Sequence, residues 1–287
     1  MKENYCYIDD VLEKRGKGSF TVEKYQYKND NLDPDQHSTK LYCDLANVFR
    51  CKCQSENVNG LNFRYTGTTE LLDSQSRSYG SDYIGPSWNW AKTEFHFTDI
   101  EIAQGLKETR VLGGHMIWLR KQKSINTEKG SRGIYDRFDL CLDEIRDSYL
   151  TDFSKNAIHK NSLREAICDD REWFEIFGKG IEGFQTFVKC FFLNDFVTEK
   201  FDVISLAISD CNAQNFLCIE EEDNRIKESV KNGCKINTQN NCYLPGKQFG
   251  LELSDEERKN AYKKYIENCV YMIKQRNKKM VDFLEKK

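Results

Sequence analysis

The sequence predicts an α+β fold: a mixed or antiparallel sheet in the N-terminal half, packed by helices, and a helical C-terminal half. Three observations carry this. Short apolar–polar alternations and one nearly continuous apolar run fall between residues 19 and 120. An amphipathic helical pattern follows at about 132–150. Beyond Leu150, apolar residues recur mostly at helical spacing. A chain of 287 residues can bury a sizeable core. It is read as a single domain, 1–287, with a sheet-containing half (19–150) and a mainly helical half (151–287).

Taken in order, Phe20, Val22, Tyr25 and Tyr27 predict an irregular strand, and Asp33-Pro34-Asp35 a turn. Leu41, Leu45, Val48 and Phe49 form the apolar face of a helix. Leu61, Phe63 and Tyr65 alternate after an Asn59-Gly60 turn, which predicts a half-buried strand, and Leu71-Leu72 starts another. Phe95 and Phe97 around His96 read as a short strand. Val111 to Leu119 is the strongest strand signal; its apolarity predicts a central position, with Gly113-Gly114 at a bulge or close approach. His115 reads as a packed residue. Helices are expected at about 159–168, 170–177 and 181–195. Extended segments are expected at Phe201 to Ile208 and Phe216 to Ile219, and a further helix at 221–232. Ser254 and Glu257 read as a capping box opening a helix to about Leu284, with Ala261, Tyr265, Ile266, Cys269, Ile273 and Met280 as its stripe.

Composition excludes several classes. Charged residues are 31%, hydrophobic residues 39% and aromatic residues 13%, a folded rather than disordered profile. A net charge of −3 gives no global attraction to nucleic acid or anionic membrane. The first twenty residues show no signal-peptide core, and no apolar run reaches the ~18 residues of a membrane span. The expectation is a cytoplasmic protein without membrane contact, whose twelve cysteines are reduced and mostly buried. His37, Cys43, Cys51 and Cys53 match no standard zinc spacing, so no metal site is assigned. No nucleophile elbow, His-Glu-x-x-His or dinucleotide fingerprint occurs, so neither enzymatic activity nor a cofactor is assigned.

The stretch Ser124 to Leu150 concentrates the chemistry. Phe138, Leu142, Ile145 and Tyr149 make one apolar stripe. At ~100° per residue, Asp136, Asp139, Asp143 and Arg146 share another face, joined by Arg132 if the helix starts early. Two readings stand: a solvated charged face, or a pocket wall in which Arg132 and Arg146 hold an anion while Asp136 and Asp139 orient them or hold a metal. Asn126, in the polar loop before the helix, would add directional hydrogen bonds. Ser81, Asp82 and Trp90, around a Gly85-Pro86 turn, are a second set of ligand-binding candidates, with core tryptophans as the alternative.

Asp136-Arg137-Phe138-Asp139-Leu140, with Leu142, Ile145-Arg146 and Tyr149, resembles the signature of an uncharacterised bacterial family, a domain of unknown function. Ile125-Asn126 and Arg132-Gly133 match its leading part. Cys141 stands where the family has threonine and Asp147 where it has a second arginine. Further matching segments are Asp33-Pro34-Asp35 with His37-Ser38, Ser81-Asp82, Ser87 with Trp90, Phe191-Phe192-Leu193 with Asp195, and Gln275-Arg276-Asn277. The resemblance implies a shared fold over most of the chain and supplies no activity.

Two functions follow as expectations. One is a protein that binds, or acts on, a small anionic ligand such as a nucleotide. The other is a non-enzymatic module that meets a protein or RNA partner through the basic later half of the last helix (Lys274, Lys278, Lys279), with a toxin or phage-defence setting conceivable for such a family.

Overall fold

A computed structural model of the chain describes residues 33–61, 63–65, 71–120, 125, 137–154, 162–206 and 254–286. The segments expected at Phe20–Tyr27, Phe216–Ile219 and 221–232 lie outside the described residues. So do the side chains of Glu257, in the expected capping box, and of Ala261, in the expected stripe. The chain divides into two compact units, Met1–Lys121 with Ile273–Lys287, and Gln122–Met272.

In the first unit, α1 (Pro34–His37) leads into α2 (Thr39–Ser55). Pro34 opens α1, where its missing N–H costs nothing. Ser38 caps α2 by accepting the Leu41 N–H at 3.3 Å. The expected face of α2 is buried, with Leu41, Leu45, Val48 and Phe49 all at 0% exposure. Four strands follow, β1 (Arg64–Tyr65), β2 (Leu71–Leu72), β3 (Ser78–Tyr83) and β4 (His115–Leu119), in the order β1-β2-β3-β4. Among the described residues every pairing of these strands is antiparallel, one of the two sheet types expected. β3 and β4 are in register from Tyr79↔Leu119 to Tyr83↔His115.

The strand expected from Val111 is shorter. Leu112–Gly114 form a 3-10 turn and the strand begins at His115. β4 is an edge of the described sheet rather than its centre. Its apolarity reflects the packing of α2 against it. The close approach expected at the glycines is present: a Cβ on Gly113 would lie 2.3 Å from the Asn277 backbone nitrogen, and one on Gly114 1.9 Å from the Thr109 carbonyl oxygen. His115 is fully buried, its ring 5.6 Å from that of Tyr83.

The Phe95–Phe97 strand is not formed. Those residues turn the chain between α3 (Trp88–Thr93) and α4 (Asp99–Thr109). His96 takes a left-handed φ of 53°, which lets both flanking phenylalanines turn inward. α4, which alternation of apolar residues did not reveal, is held by a complete capping box between Thr98 and Glu101.

In the second unit, α5 (Phe138–Leu150) packs against α6 (Ser162–Asp169) and α8 (Gly180–Cys190); α7 (Arg171–Phe174) and a 3-10 turn (Glu175–Phe177) lie between these two in sequence. The stripe Phe138, Leu142, Ile145 and Tyr149 faces an aromatic core. Tyr149 packs near Phe153, Phe174 and Phe184, and its hydroxyl donates to the Phe174 carbonyl at 2.7 Å. The helix expected at 181–195 ends at Cys190; Phe192 adopts φ 56° and Asn194–Phe196 form a 3-10 turn. The strand expected from Phe201 reduces to one bridge among the described residues, Val203 to Val197.

The last helix, α9 (Asp255–Glu285), matches its expected span. It buries Tyr262, Tyr265, Cys269 and Met272 in the second unit and Ile273, Arg276 and Met280 in the first. Arg276 Nη1 donates to the carbonyls of Gly113 (2.6 Å) and His115 (2.9 Å), and Asn277 Oδ1 accepts the Gly113 N–H at 2.9 Å.

Candidate functional site

In the first unit, three residues distant in sequence meet at the end of the β3–β4 pair. Asp35 on α1 is 6% exposed. Its backbone N–H donates to Ser81 Oγ, and the Ser81 hydroxyl donates back to Asp35 Oδ1, each at 2.9 Å. The other carboxylate oxygen accepts from Arg120 Nη2. Arg120 follows β4, and its backbone N–H donates to the Ser78 carbonyl at 2.8 Å. Its side chain is 39% exposed, against 3% for that of Asp35. A buried carboxylate thus holds an exposed guanidinium, while Arg120 Nε and Nη1 have no acceptor among the described residues.

The neighbouring polar groups are hydrogen-bonded as well. Tyr42 donates to the Tyr79 carbonyl at 2.7 Å. Burial, and then the charge of Asp35, push its phenol well above the usual range, so it stays neutral. Asp73 anchors the β2–β3 turn. Burial alone would raise its carboxyl, but hydrogen bonds from Tyr79 (2.7 Å), the Arg77 backbone (2.9 Å) and the Arg77 guanidinium (2.6 Å) outweigh that and leave it below the usual range.

The sequence candidates fall as follows. Ser81 is buried in the Asp35 cluster. Asp82 is half-buried beside it, opposite Met116 in the β3–β4 register. Trp90 is buried on α3, its ring edge-on to Phe95 at 6.0 Å. Asn126, Arg132 and Asp136 lie outside the described residues.

Asp139 and Arg146 belong to the second unit, and the face they share is not solvated. Exposure is 0% at Asp139, 5% at Asp143 and 8% at Arg146. Residues 201–206 supply partners along this face. Asp139 accepts from Arg137 Nε (3.2 Å), Arg137 Nη2 (2.5 Å) and the Leu206 N–H (2.8 Å). Arg137 also donates to Ser205 Oγ at 3.3 Å and lies 5.6 Å from the Tyr265 ring centroid. Arg146 donates to the Phe201 carbonyl at 2.8 Å and to Asp202 at 2.5 Å. Glu144 pairs with buried Arg164 at 3.2 Å. Asp143 accepts no hydrogen bond among the described residues. Burial raises its carboxyl well above the ordinary range. The carboxylates of Asp147, Glu144 and Asp139 push the same way, against the pull of Arg146.

Sequence reasoning missed Arg120, Asp35 and Arg137 as members of these clusters. Asp35 and Arg137 lie within the segments that carry the family resemblance, and Arg120 lies outside them. Tertiary placement brings Arg120, after β4, to Asp35 on α1 across 85 residues. Among the described residues no group of three or more His, Cys, Asp or Glu is arranged to hold a metal ion.

The chain matches the Family of unknown function (DUF6994) over residues 19–280. The protein belongs to the DUF6994 family. The match takes in both polar clusters of this DUF6994 member, Asp35–Ser81–Arg120 and Arg137–Asp139–Ser205. No curated protein and no solved structure matches the chain.

Proposed function

We propose that this DUF6994 member binds a small anionic ligand at the Arg120–Asp35–Ser81 cluster. One observation carries the reading: Arg120 is held by a buried, doubly anchored carboxylate while its own side chain is 39% exposed. A guanidinium fixed in this way loses less entropy when it engages an anion than a free one does. Of the residues read from the sequence, Ser81 takes part by positioning Asp35; Asp82 follows it on β3, and Trp90, on α3, stays a separate candidate. Asn126, Arg132, Asp136, Asp139 and Arg146 form a separate candidate set. A reducing, cytoplasmic setting belongs to the same reading, supported by buried cysteines outside any disulfide among the described residues, such as Cys51, Cys190 and Cys269.

The test is a thermal-shift screen of the protein against nucleotides, nucleotide sugars, simple anions and divalent metals, with Arg120→Gln, Arg132→Ala and Asp139→Ala alongside. A ligand at 100 times its dissociation constant stabilises the fold by ~2.7 kcal/mol. The expected result is an anion response that Arg120→Gln removes. A response kept by Arg120→Gln but lost in Arg132→Ala moves the site to the other set. No response to any anion removes the reading.

A second reading rests on α9, where Lys274, Lys278 and Lys279 are all exposed. Lys274 lies 3.4 Å from Glu108, which offsets part of this charge. If a protein or RNA partner docks here, reversing the three charges abolishes the interaction and Arg120→Gln leaves it intact.

A further inference from the structure

Residues 201–206 are fastened to the polar face of α5 at two places. At one end the Leu206 N–H donates to Asp139 at 2.8 Å, and Ser205 Oγ accepts from Arg137 at 3.3 Å. At the other, Arg146 donates to the Phe201 carbonyl at 2.8 Å and to Asp202 at 2.5 Å. Asp143 stands between these fastenings, about one helical turn from Asp139 and from Arg146. Among the described residues it makes no hydrogen bond or ion pair. We propose that Asp143 is a pH-sensitive release for the Phe201–Asp202 end. Its ionisation draws Arg146 away from Asp202, and the turn at residues 198–202 opens.

The argument is a competition for one guanidinium. Arg146 is paired with Asp202 and lies 3.9 Å from Asp147. Asp143 is its i, i+3 neighbour and feels its charge. The Asp202 and Asp147 side chains are each 32% exposed, whereas Asp143 is 5% exposed. Water can solvate the first two in place of Arg146 and can do little for the third. An ionised Asp143 is therefore the carboxylate that most needs the cation. While Asp143 keeps its proton, that demand is absent and Arg146 stays on Asp202. Burial, then Asp147, hold this proton above the ordinary carboxylate range. The opened state, with Arg146 beside Asp143, holds it less tightly. Opening is thus favoured as pH rises through the closed-state value.

The other charged groups nearby are committed elsewhere. Glu144 is paired with Arg164 of α6, and Asp139 with Arg137. On α9, burial keeps Tyr265 and Cys269 un-ionised beside Asp139, and on α8 Cys190 acts on Tyr149. The opening is local for the same reason. Arg137, Asp139 and Asn268, which donates to the Leu206 carbonyl at 2.8 Å, keep the far end in place. The near end is poised to move. Phe201 takes a left-handed φ of 61°, costly for a bulky residue, and Arg146 holds its carbonyl. Beyond that bond the turn relies on Thr198, whose carbonyl accepts the Phe201 N–H at 2.9 Å and whose hydroxyl accepts the Lys200 and Asp202 N–H groups at 3.2 Å.

The experiment is amide hydrogen exchange of the whole chain, read by mass spectrometry on peptides covering 198–206 and, as a control, α8. Protection is corrected for the pH dependence of intrinsic exchange. Between about pH 5.5 and about pH 8.5, protection at 198–202 should fall about tenfold or more in the parent while α8 holds. Asp143→Asn, which stays neutral, should remove that fall. Arg146→Gln should leave the turn open at both pH values, and Asp202→Asn, which weakens the competing partner, should move the opening to lower pH. Protection at 198–202 that does not change with pH overturns the proposal. So does a fall that persists in Asp143→Asn. An equal fall in α8 also overturns it, because the whole unit is then loosening rather than one end of the segment.

Discussion

Asp139→Ala separates a structural role for the α5 charges from a ligand-binding one. The substitution removes the acceptor of three hydrogen bonds, two from Arg137 and one from the Leu206 N–H. The Arg137 and Asp139 side chains are 1% and 0% exposed, so water cannot replace the lost partner. Breaking a buried ion pair from one side costs ~3–5 kcal/mol. The stranded Leu206 amide adds ~1–3 kcal/mol, although Ser205 Oγ still accepts from Arg137 and the terms are not strictly additive. A loss of about 4 kcal/mol or more is therefore expected, a large part of the ~5–15 kcal/mol that holds a typical domain together. Replacing both partners with apolar residues, Arg137→Met with Asp139→Leu, should recover most of it, because no charge is then left buried alone. The assay is urea denaturation followed by far-UV circular dichroism, with the slope checked for two-state behaviour. A single variant within 1 kcal/mol of the parent, or a double variant no better than the single, would refute this account of how the pair acts.

Asp143→Asn should act in the opposite direction and depend on pH. The folded state holds the Asp143 proton more tightly than the unfolded chain does. The carboxylate therefore costs nothing below its unfolded pKa of ~3.9, and the cost grows as pH rises from there to the higher folded value. Asparagine should be near neutral at pH 4 and stabilising at pH 8, by ~1.4 kcal/mol per unit of the shift; equal stability of the two proteins at pH 8 would count against it. We also propose that residues 1–287 fold as a single domain, in which case calorimetry of the whole chain shows one transition with matching calorimetric and van't Hoff enthalpies; two separable transitions would reject that.

The readable parts of this fold were those that local periodicity controls. α2, α5, α8 and α9 carry apolar residues at helical spacing, and the packing uses those same residues. Phe95–Phe97 was misread because two aromatics flanking a polar residue satisfy a strand's period of two as well as they satisfy a tight turn. The left-handed backbone at His96 leaves no trace in composition. α4 escaped because its signal is a capping box, Thr98 with Glu101, rather than a stripe. The polar clusters were half legible. Ser81 and Asp139 could be singled out as unusual residue types in their positions. That Ser81 holds Asp35 across 46 residues, and that Asp139 meets Leu206 across 67, depends on tertiary placement that no local pattern encodes. The charged face of α5 was open to two readings because periodicity places residues on a face without saying what covers it.

The bond from Arg276 to the Gly113 carbonyl spans 163 residues. On a ribosome adding ~5–20 residues per second, Gly113 waits roughly 10–30 s for its partner to be made. During that interval the 3-10 turn before β4 lacks the side chains that satisfy it, and the apolar surface that Ile273 and Met280 will cover has nothing against it. The first unit can finish folding only after synthesis has passed residue 280. A nascent chain of this protein should therefore lean on holding chaperones longer than its modest length implies, and the order of translation becomes part of how the fold is reached.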